Sequence, residues 1–130
     1  MIVGSGVDVI EIARIERALS ERGARFAGRV FTPAEIEACE GPGRSAPRFA
    51  LRFAAKEAAM KAIGTGWSAG VRWRDIEAMP GANGPGEWVL RLSGRAHELA
   101  GARGTERAWL SVSRSRTHAL ALVVLEGGEP

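Results

Sequence analysis

Cysteine occurs once in this chain of 130 residues, at Cys39. That excludes an internal disulfide and a zinc cluster built on cysteines. Long apolar runs are missing as well. The longest, Ala119 to Leu125, is far too short to cross a bilayer. No basic leader with a cleavage site opens the chain. These absences point to a cytoplasmic protein without membrane contact. Repeats, low-complexity segments and dividing linkers are lacking too. One domain is therefore expected over residues 1–126, with residues 127–130 as a flexible tail. A hydrophobic share of 45% and a charged share of 25% exclude wholesale disorder.

Charge of one sign is not concentrated anywhere. Eighteen basic residues are interleaved with 15 acidic ones, for a net charge of +3. This is a mild bias toward anionic partners. A nucleic-acid-binding domain would need a basic patch with aromatics or a recognisable signature, and neither is present. Two residue types are conspicuously scarce. The only lysines are Lys56 and Lys61, and the only aspartates are Asp8 and Asp75. A GC-rich coding bias toward Arg, Ala and Gly explains the general trend. It does not explain why both lysines flank Glu57. Lysine is a compact point charge with a tunable pKa that arginine does not copy.

Alternation over Ile2–Ile10 predicts a strand that carries Gly4, Gly6 and Asp8 on one face, where the bare backbone admits close approach. Glu11–Leu19 predicts a helix with Ile12, Ile15 and Leu19 inward. Thr32-Pro-Ala-Glu35 is a capped helix start, and 41–47 reads as a loop. Arg48–Ile63 is the strongest helix, ending at Gly64-Thr65-Gly66. Strands are expected at 71–77, 87–92, 109–113 and 118–125, with Ser93 capping a short helix through Ala100. The fold class is α+β: a small single domain with a mostly antiparallel sheet packed on a long central helix. A chain of this size has a modest core, which self-association would supplement.

On the central helix, Phe49, Phe53, Met60 and Ile63 form an apolar stripe that contains Lys56. Glu57 lies at its edge, with Lys61 one turn on. A cation in an apolar stripe either snorkels to water or points at an anion. Glu57 and Lys61 alone could be an ordinary surface pair, worth about 0.3–0.5 kcal/mol. Together with Asp8 they suggest more. Two carboxylates from separate elements suit Mg²⁺, which is usually held by one or two carboxylates and substrate phosphates. Lys56 and Lys61 would face those phosphates, and Gly64, Thr65 and Gly66 offer backbone that a phosphate can approach. Asp8, Glu57 and Lys61 are thus the candidate catalytic residues, with Asp8 and Glu57 as candidate metal ligands.

Gly6-Val-Asp8, Arg14-Ile15, Phe31-Thr-Pro-Ala-Glu35, Arg52-Phe-Ala-Ala-Lys-Glu-Ala58, Lys61-Ala-Ile-Gly-Thr-Gly66, Asp75-Ile-Glu77 and Ser111-Val-Ser113 occur in this order. In these motifs the chain closely resembles the holo-[acyl-carrier-protein] synthases of the 4′-phosphopantetheinyl transferase superfamily, from Ile2 to about Leu125. The resemblance implies transfer of 4′-phosphopantetheine from coenzyme A to a serine hydroxyl of an apo acyl carrier protein, releasing adenosine 3′,5′-bisphosphate. It implies Mg²⁺ on Asp8 and Glu57, and Lys61 at the phosphates with Lys56 as a second contact. It also implies Arg14 meeting the acidic carrier, aided by Arg17, Arg22 and Arg25, and a homotrimer with sites between subunits. The base that accepts the serine proton stays open, as does the kind of carrier.

Two positions depart from the family pattern. Arg114 stands where a histidine is usual. It could bind phosphate but not accept a proton near neutral pH; a shifted loop could instead bring in His118. Trp88 stands at the usual proline position; a tryptophan there could stack on adenine or pack the core, and the core is expected. Cys39 and His97 carry no visible role. The rival readings are a catalytically weak relative that only binds coenzyme A or a carrier, and a small basic nucleic-acid-binding domain.

Overall fold

Gly4 and Gly6 decide how this fold closes. A Cβ on Gly4 would stand 2.2 Å from the Ala62 carbonyl oxygen, and one on Gly6 would stand 2.1 Å from that of Ala58. Neither position tolerates a side chain, so the first strand and the central helix meet backbone to backbone. The helix answers with small residues: Ala54, Ala55, Ala58, Ala59 and Ala62 are all buried. The face expected to admit close approach does so, and the helix fills it.

The computed structural model describes residues 1–64 and 66–128. In chain order the elements are β1 (Ile2–Glu11), α1 (Ile12–Arg22), α2 (Ala24–Val30), α3 (Pro33–Cys39) and α4 (Ala46–Ile63). Two single 3₁₀ turns follow, Trp67–Ala69 and Trp73–Asp75, then β2 (Ile76–Pro80), β3 (Trp88–Leu92), α5 (Gly94–Ala102), β4 (Thr105–Arg114) and β5 (His118–Gly127). The strands form one antiparallel sheet in the order β1-β5-β4-β3-β2. The α+β class is as expected.

Strands β1, β5 and β4 pair along most of their length, but β3 meets β4 at the single pair Trp88–Leu110. The β2–β3 hairpin therefore hangs on contacts other than the sheet ladder. One sheet face packs on α4. The other presents Val7, Val9, Leu120, Leu122 and Trp109, each between 39% and 55% exposed. Val7 lies opposite Leu122 and Val9 opposite Leu120, so these form one patch.

Several boundaries differ from the sequence expectation. Helix α4 begins at Ala46, two residues earlier, because Pro47 is tolerated in a first turn. Helix α2 was not expected; Gly23, at φ +54°, breaks the chain between α1 and α2. The strand expected at 71–77 is a 3₁₀ turn through Asp75, because the Asp75 carboxylate accepts the Arg72 N–H at 2.9 Å and folds the chain locally. Strand β5 runs on to Gly127, whose N–H donates to the Met1 carbonyl at 2.7 Å. Gly127, expected in a flexible tail, is therefore part of the sheet, and Glu129 and Pro130 lie outside the described residues.

Candidate active site

Asp8 follows Gly6 by two residues and so shares the helix-facing side of β1. The close contact of Gly6 with Ala58 brings it to the edge of α4 that carries Glu57 and Lys61. The Lys61 ammonium donates to Asp8 Oδ1 at 2.9 Å and to the Val7 carbonyl at 3.0 Å. Lys61 thus links α4 to β1 and is not merely half of an ordinary surface pair with Glu57. The Asp8 side chain is 17% exposed and that of Lys61 54%.

Glu57 is half-buried beside this pair. Burial pushes its carboxyl pKa up, and the negative charge of Asp8 pushes it further. Lys61, the Trp67 side chain and Arg14 act in the opposite direction. The structure therefore gathers Asp8, Glu57, Lys61 and Arg14 into one electrostatic neighbourhood. Trp67 is a member that sequence reasoning missed; the only hint was a tryptophan directly after Gly66.

Lys56 is elsewhere. Its ammonium pairs with Glu35 Oε1 at 2.7 Å and donates to the carbonyls of Trp73 and Ile76. Both charged groups are wholly enclosed. Burial lowers the Lys56 pKa and Glu35 counters that. With its three donors used inside the protein, Lys56 has none left for a phosphate. The expected phosphate role is corrected to a core ion pair. Glu35 was legible only as part of the α3 capping box with Thr32, which does form.

Two concavities are lined in part by Trp67 and Arg14, the two side chains besides Lys61 that lower the Glu57 pKa. A cavity of about 690 Å³ is lined by Arg29, Arg72, Arg74, Trp67, Trp73 and Asp75, among others. A groove of about 290 Å³ runs along α1 between Arg14, Arg17, Arg22, Phe26 and Phe53.

A model of the 4′-phosphopantetheinyl transferase superfamily matches residues 4–123. The chain belongs to the 4′-phosphopantetheinyl transferase superfamily. A holo-[acyl-carrier-protein] synthase of Koribacter versatilis is 47% identical over 126 residues, spanning 97% of this chain and 99% of the relative. Another, from Anaeromyxobacter dehalogenans, is 44% identical and spans 100% of both chains. The crystal structure of holo-[acyl-carrier-protein] synthase from Neisseria meningitidis superposes with a TM-score of 0.84 at 37% identity, covering 97% of this chain and 99% of that one. The Helicobacter pylori protein, solved in complex with coenzyme A, gives a TM-score of 0.80 at 27% identity, covering 94% and 99%.

The remaining predicted positions, among the described residues, fall outside the central cluster. Gly64 ends α4 at φ +87°, and its N–H is already bonded to the Met60 carbonyl at 2.9 Å. Its role is that of a helix stop. Arg103 then caps the Ile63 carbonyl at 2.7 Å and the Val3 carbonyl at 2.6 Å. Gly66 is exposed, and Thr65 lies outside the described residues. Arg114 ends β4, opposite Ala119 of β5, which in turn faces Ile10. It stands two strands, about 9–10 Å, across the sheet from β1 and does not reach Asp8 within this chain. His118 is exposed and bonded through Nδ1 to the Thr117 hydroxyl at 2.9 Å. Trp88 covers the buried Arg52 guanidinium, 4.9 Å from its ring centroid, at the rim of the core. Burial lifts the Cys39 thiol pKa to about 11, which leaves it unreactive.

Proposed function

We propose that this chain transfers 4′-phosphopantetheine from coenzyme A to a serine hydroxyl of an apo acyl carrier protein, with Mg²⁺ held by Asp8 and Glu57. The observation that carries the reading is the pairing of Asp8 of β1 with Lys61 of α4, beside Glu57 on the same helix. The donor set fits a hard divalent cation: two carboxylates, with room for water and phosphate oxygens. The raised Glu57 pKa accords with the fit: burial is its first cause, and the negative charge of Asp8, the second, is one that a cation would offset. Bound there, Mg²⁺ would neutralise diphosphate oxygens and polarise the attacked phosphorus.

The chain's own residues supply position and charge, which is most of what such a transfer requires. Lys61 is exposed enough to turn from Asp8 to a phosphate oxygen. The cavity beyond Trp67 is of ordinary ligand size. Its arginines suit an anion and its tryptophans an apolar arm, so it suits the part of coenzyme A beyond the diphosphate. The groove along α1 suits the acidic carrier: Arg14, Arg17 and Arg22 give steering, and Phe26 and Phe53 give an apolar floor.

We further read the exposed sheet patch of Val7, Val9, Leu120, Leu122 and Trp109 as the contact of a homotrimer. Such an assembly would let Arg114 of one copy approach Asp8 of another. A cytoplasmic location accords with a helix set in which, among the described residues, none is long and apolar enough to cross a membrane.

The test incubates the protein with coenzyme A, Mg²⁺ and an apo carrier protein. The carrier should gain the mass of one phosphopantetheine, and E57Q should abolish that gain. Binding of coenzyme A without any mass gain would overturn the proposal in favour of a binding-only relative.

A further inference from the structure

The proposed reaction asks Asp8 to hold a cation and Lys61 to meet a phosphate, yet in the fold these two side chains hold each other. The Lys61 ammonium donates to Asp8 Oδ1 at 2.9 Å and to the Val7 carbonyl at 3.0 Å. Both acceptors belong to β1, so the lysine reaches away from its own helix to the strand. Among the described residues, no other donor is bonded to the Asp8 carboxylate. Lys61 is therefore the group that neutralises it.

The two partners are held unequally. The Asp8 side chain is 17% exposed, and that of Lys61 is 54% exposed. Asp8 sits on a strand that Gly6 presses against the Ala58 backbone, so its place is set. Lys61 carries its charge on a flexible four-carbon stem and swings into water at little cost. Two positive charges a few ångströms apart on one carboxylate repel strongly where water is partly shut out. When a second cation binds Asp8, Lys61 is the partner that leaves. Its ammonium then lacks an anion, and a phosphate oxygen offers a charge-assisted bond of the same kind.

We propose that Lys61 is the built-in counter-ion of Asp8, gives up that place to Mg²⁺ and turns its ammonium to the diphosphate, so that metal and diphosphate bind cooperatively. When Mg²⁺ comes alone, Lys61 loses Asp8 and gains nothing. When it comes with a diphosphate, Lys61 exchanges one anionic acceptor for another. Such coupling is reciprocal: each ligand tightens the other by the same factor. The inference rests on the reading of Asp8 and Glu57 as metal ligands given above.

The test uses the scarcity of lysine. The chain has only Lys56 and Lys61, so protein labelled with ¹³C-lysine gives two ε-methylene signals, which K61M assigns. Lys56, enclosed in the core with Glu35, is the internal reference. Mg²⁺ alone should move the Lys61 signal to the position of a free lysine side chain and leave that of Lys56 in place. Coenzyme A added next should move the Lys61 signal away again. Calorimetry should show Mg²⁺ alone binding about tenfold more tightly to K61M than to the parent, the worth of one charge-assisted hydrogen bond. R14M removes a nearby positive charge that is not bonded to Asp8, and its gain should be clearly smaller. The factor by which saturating coenzyme A tightens Mg²⁺ binding should shrink in K61M. A Lys61 signal that Mg²⁺ does not move, or a gain in K61M no larger than in R14M, overturns the proposal. Parental Mg²⁺ affinity in both D8N and E57Q would instead remove the metal reading itself. Lost binding in those two variants beside an unmoved Lys61 signal would remove only the exchange.

Discussion

Glu57 carries a charge that the fold does not welcome. Its folded pKa is raised, first by burial and then by Asp8. Protonation therefore favours the folded state. Glu57 costs stability at neutral pH, and the cost fades as pH falls through the raised value toward the ordinary carboxylate range. Metal-free E57Q should accordingly have a higher denaturation midpoint than the parent at neutral pH. The gap should close on acidification, and Mg²⁺ should close it at neutral pH by stabilising only the parent. A midpoint for E57Q at or below the parent's, in metal-free buffer at neutral pH, would contradict this. Lys61 calls for a separate test. K61R keeps the charge but replaces a compact ammonium with a planar fork, so kcat should fall by about tenfold or more. A rate within error of the parent's would return Lys61 to the role of a surface charge. Much of this scale was legible. Scarcity alone singled out Asp8, Lys56 and Lys61, and the helical register placed Glu57 among them. Scarcity could not say that the two lysines point in different directions. That depends on Glu35, which lies 21 positions before Lys56 in the chain.

At the scale of elements, the site exists because β1 and α4 touch. The two glycines of β1 and the alanines of α4 let them do so. G6A places a methyl about where the Ala58 carbonyl stands, and its φ is not in the left-handed region, so the penalty is steric. Overpacking of this kind costs about 1–3 kcal/mol. G6A should be destabilised by that amount and should also lose activity at temperatures where it is fully folded, because separating β1 from α4 pulls Asp8 away from Glu57. Parental kcat in folded G6A would show that the contact is structural only. The element boundaries show what a local reading can miss. The segment 71–77 looked like a strand from its alternating apolar residues. Asp75 instead folds it into a turn by a bond to Arg72, a local competition that alternation does not report.

At the scale of the molecule, one sheet face is finished and the other is not. Val7, Val9, Leu120, Leu122 and Trp109 together leave more apolar surface in water than scattered single residues would. V9K with L122K should leave the secondary structure unchanged, lower the sedimenting mass to that of one chain and lose most of the transfer activity. An unchanged mass would argue against this face as the subunit contact. Arg114 belongs to the same question. In a single chain it stands across the sheet from Asp8, so a role for it in transfer depends on assembly. Mixing D8A with R114A after subunit exchange should then restore part of the activity that each lacks alone.

The sequence by itself determined the local terms: which of the longer segments are helical or extended, where α3 begins, which strand must stay bare, and which few lysines and aspartates are not interchangeable with their neighbours. These follow from side-chain size, backbone freedom and spacing over a few residues. Only the tertiary structure decided how those residues combine. It sent Lys61 to Asp8 and Lys56 to Glu35, set Trp67 beside Glu57, and left Arg114 two strands away. Each of those outcomes depends on contacts between distant parts of the chain, where packing and desolvation fix the direction of a side chain and local pattern has no influence.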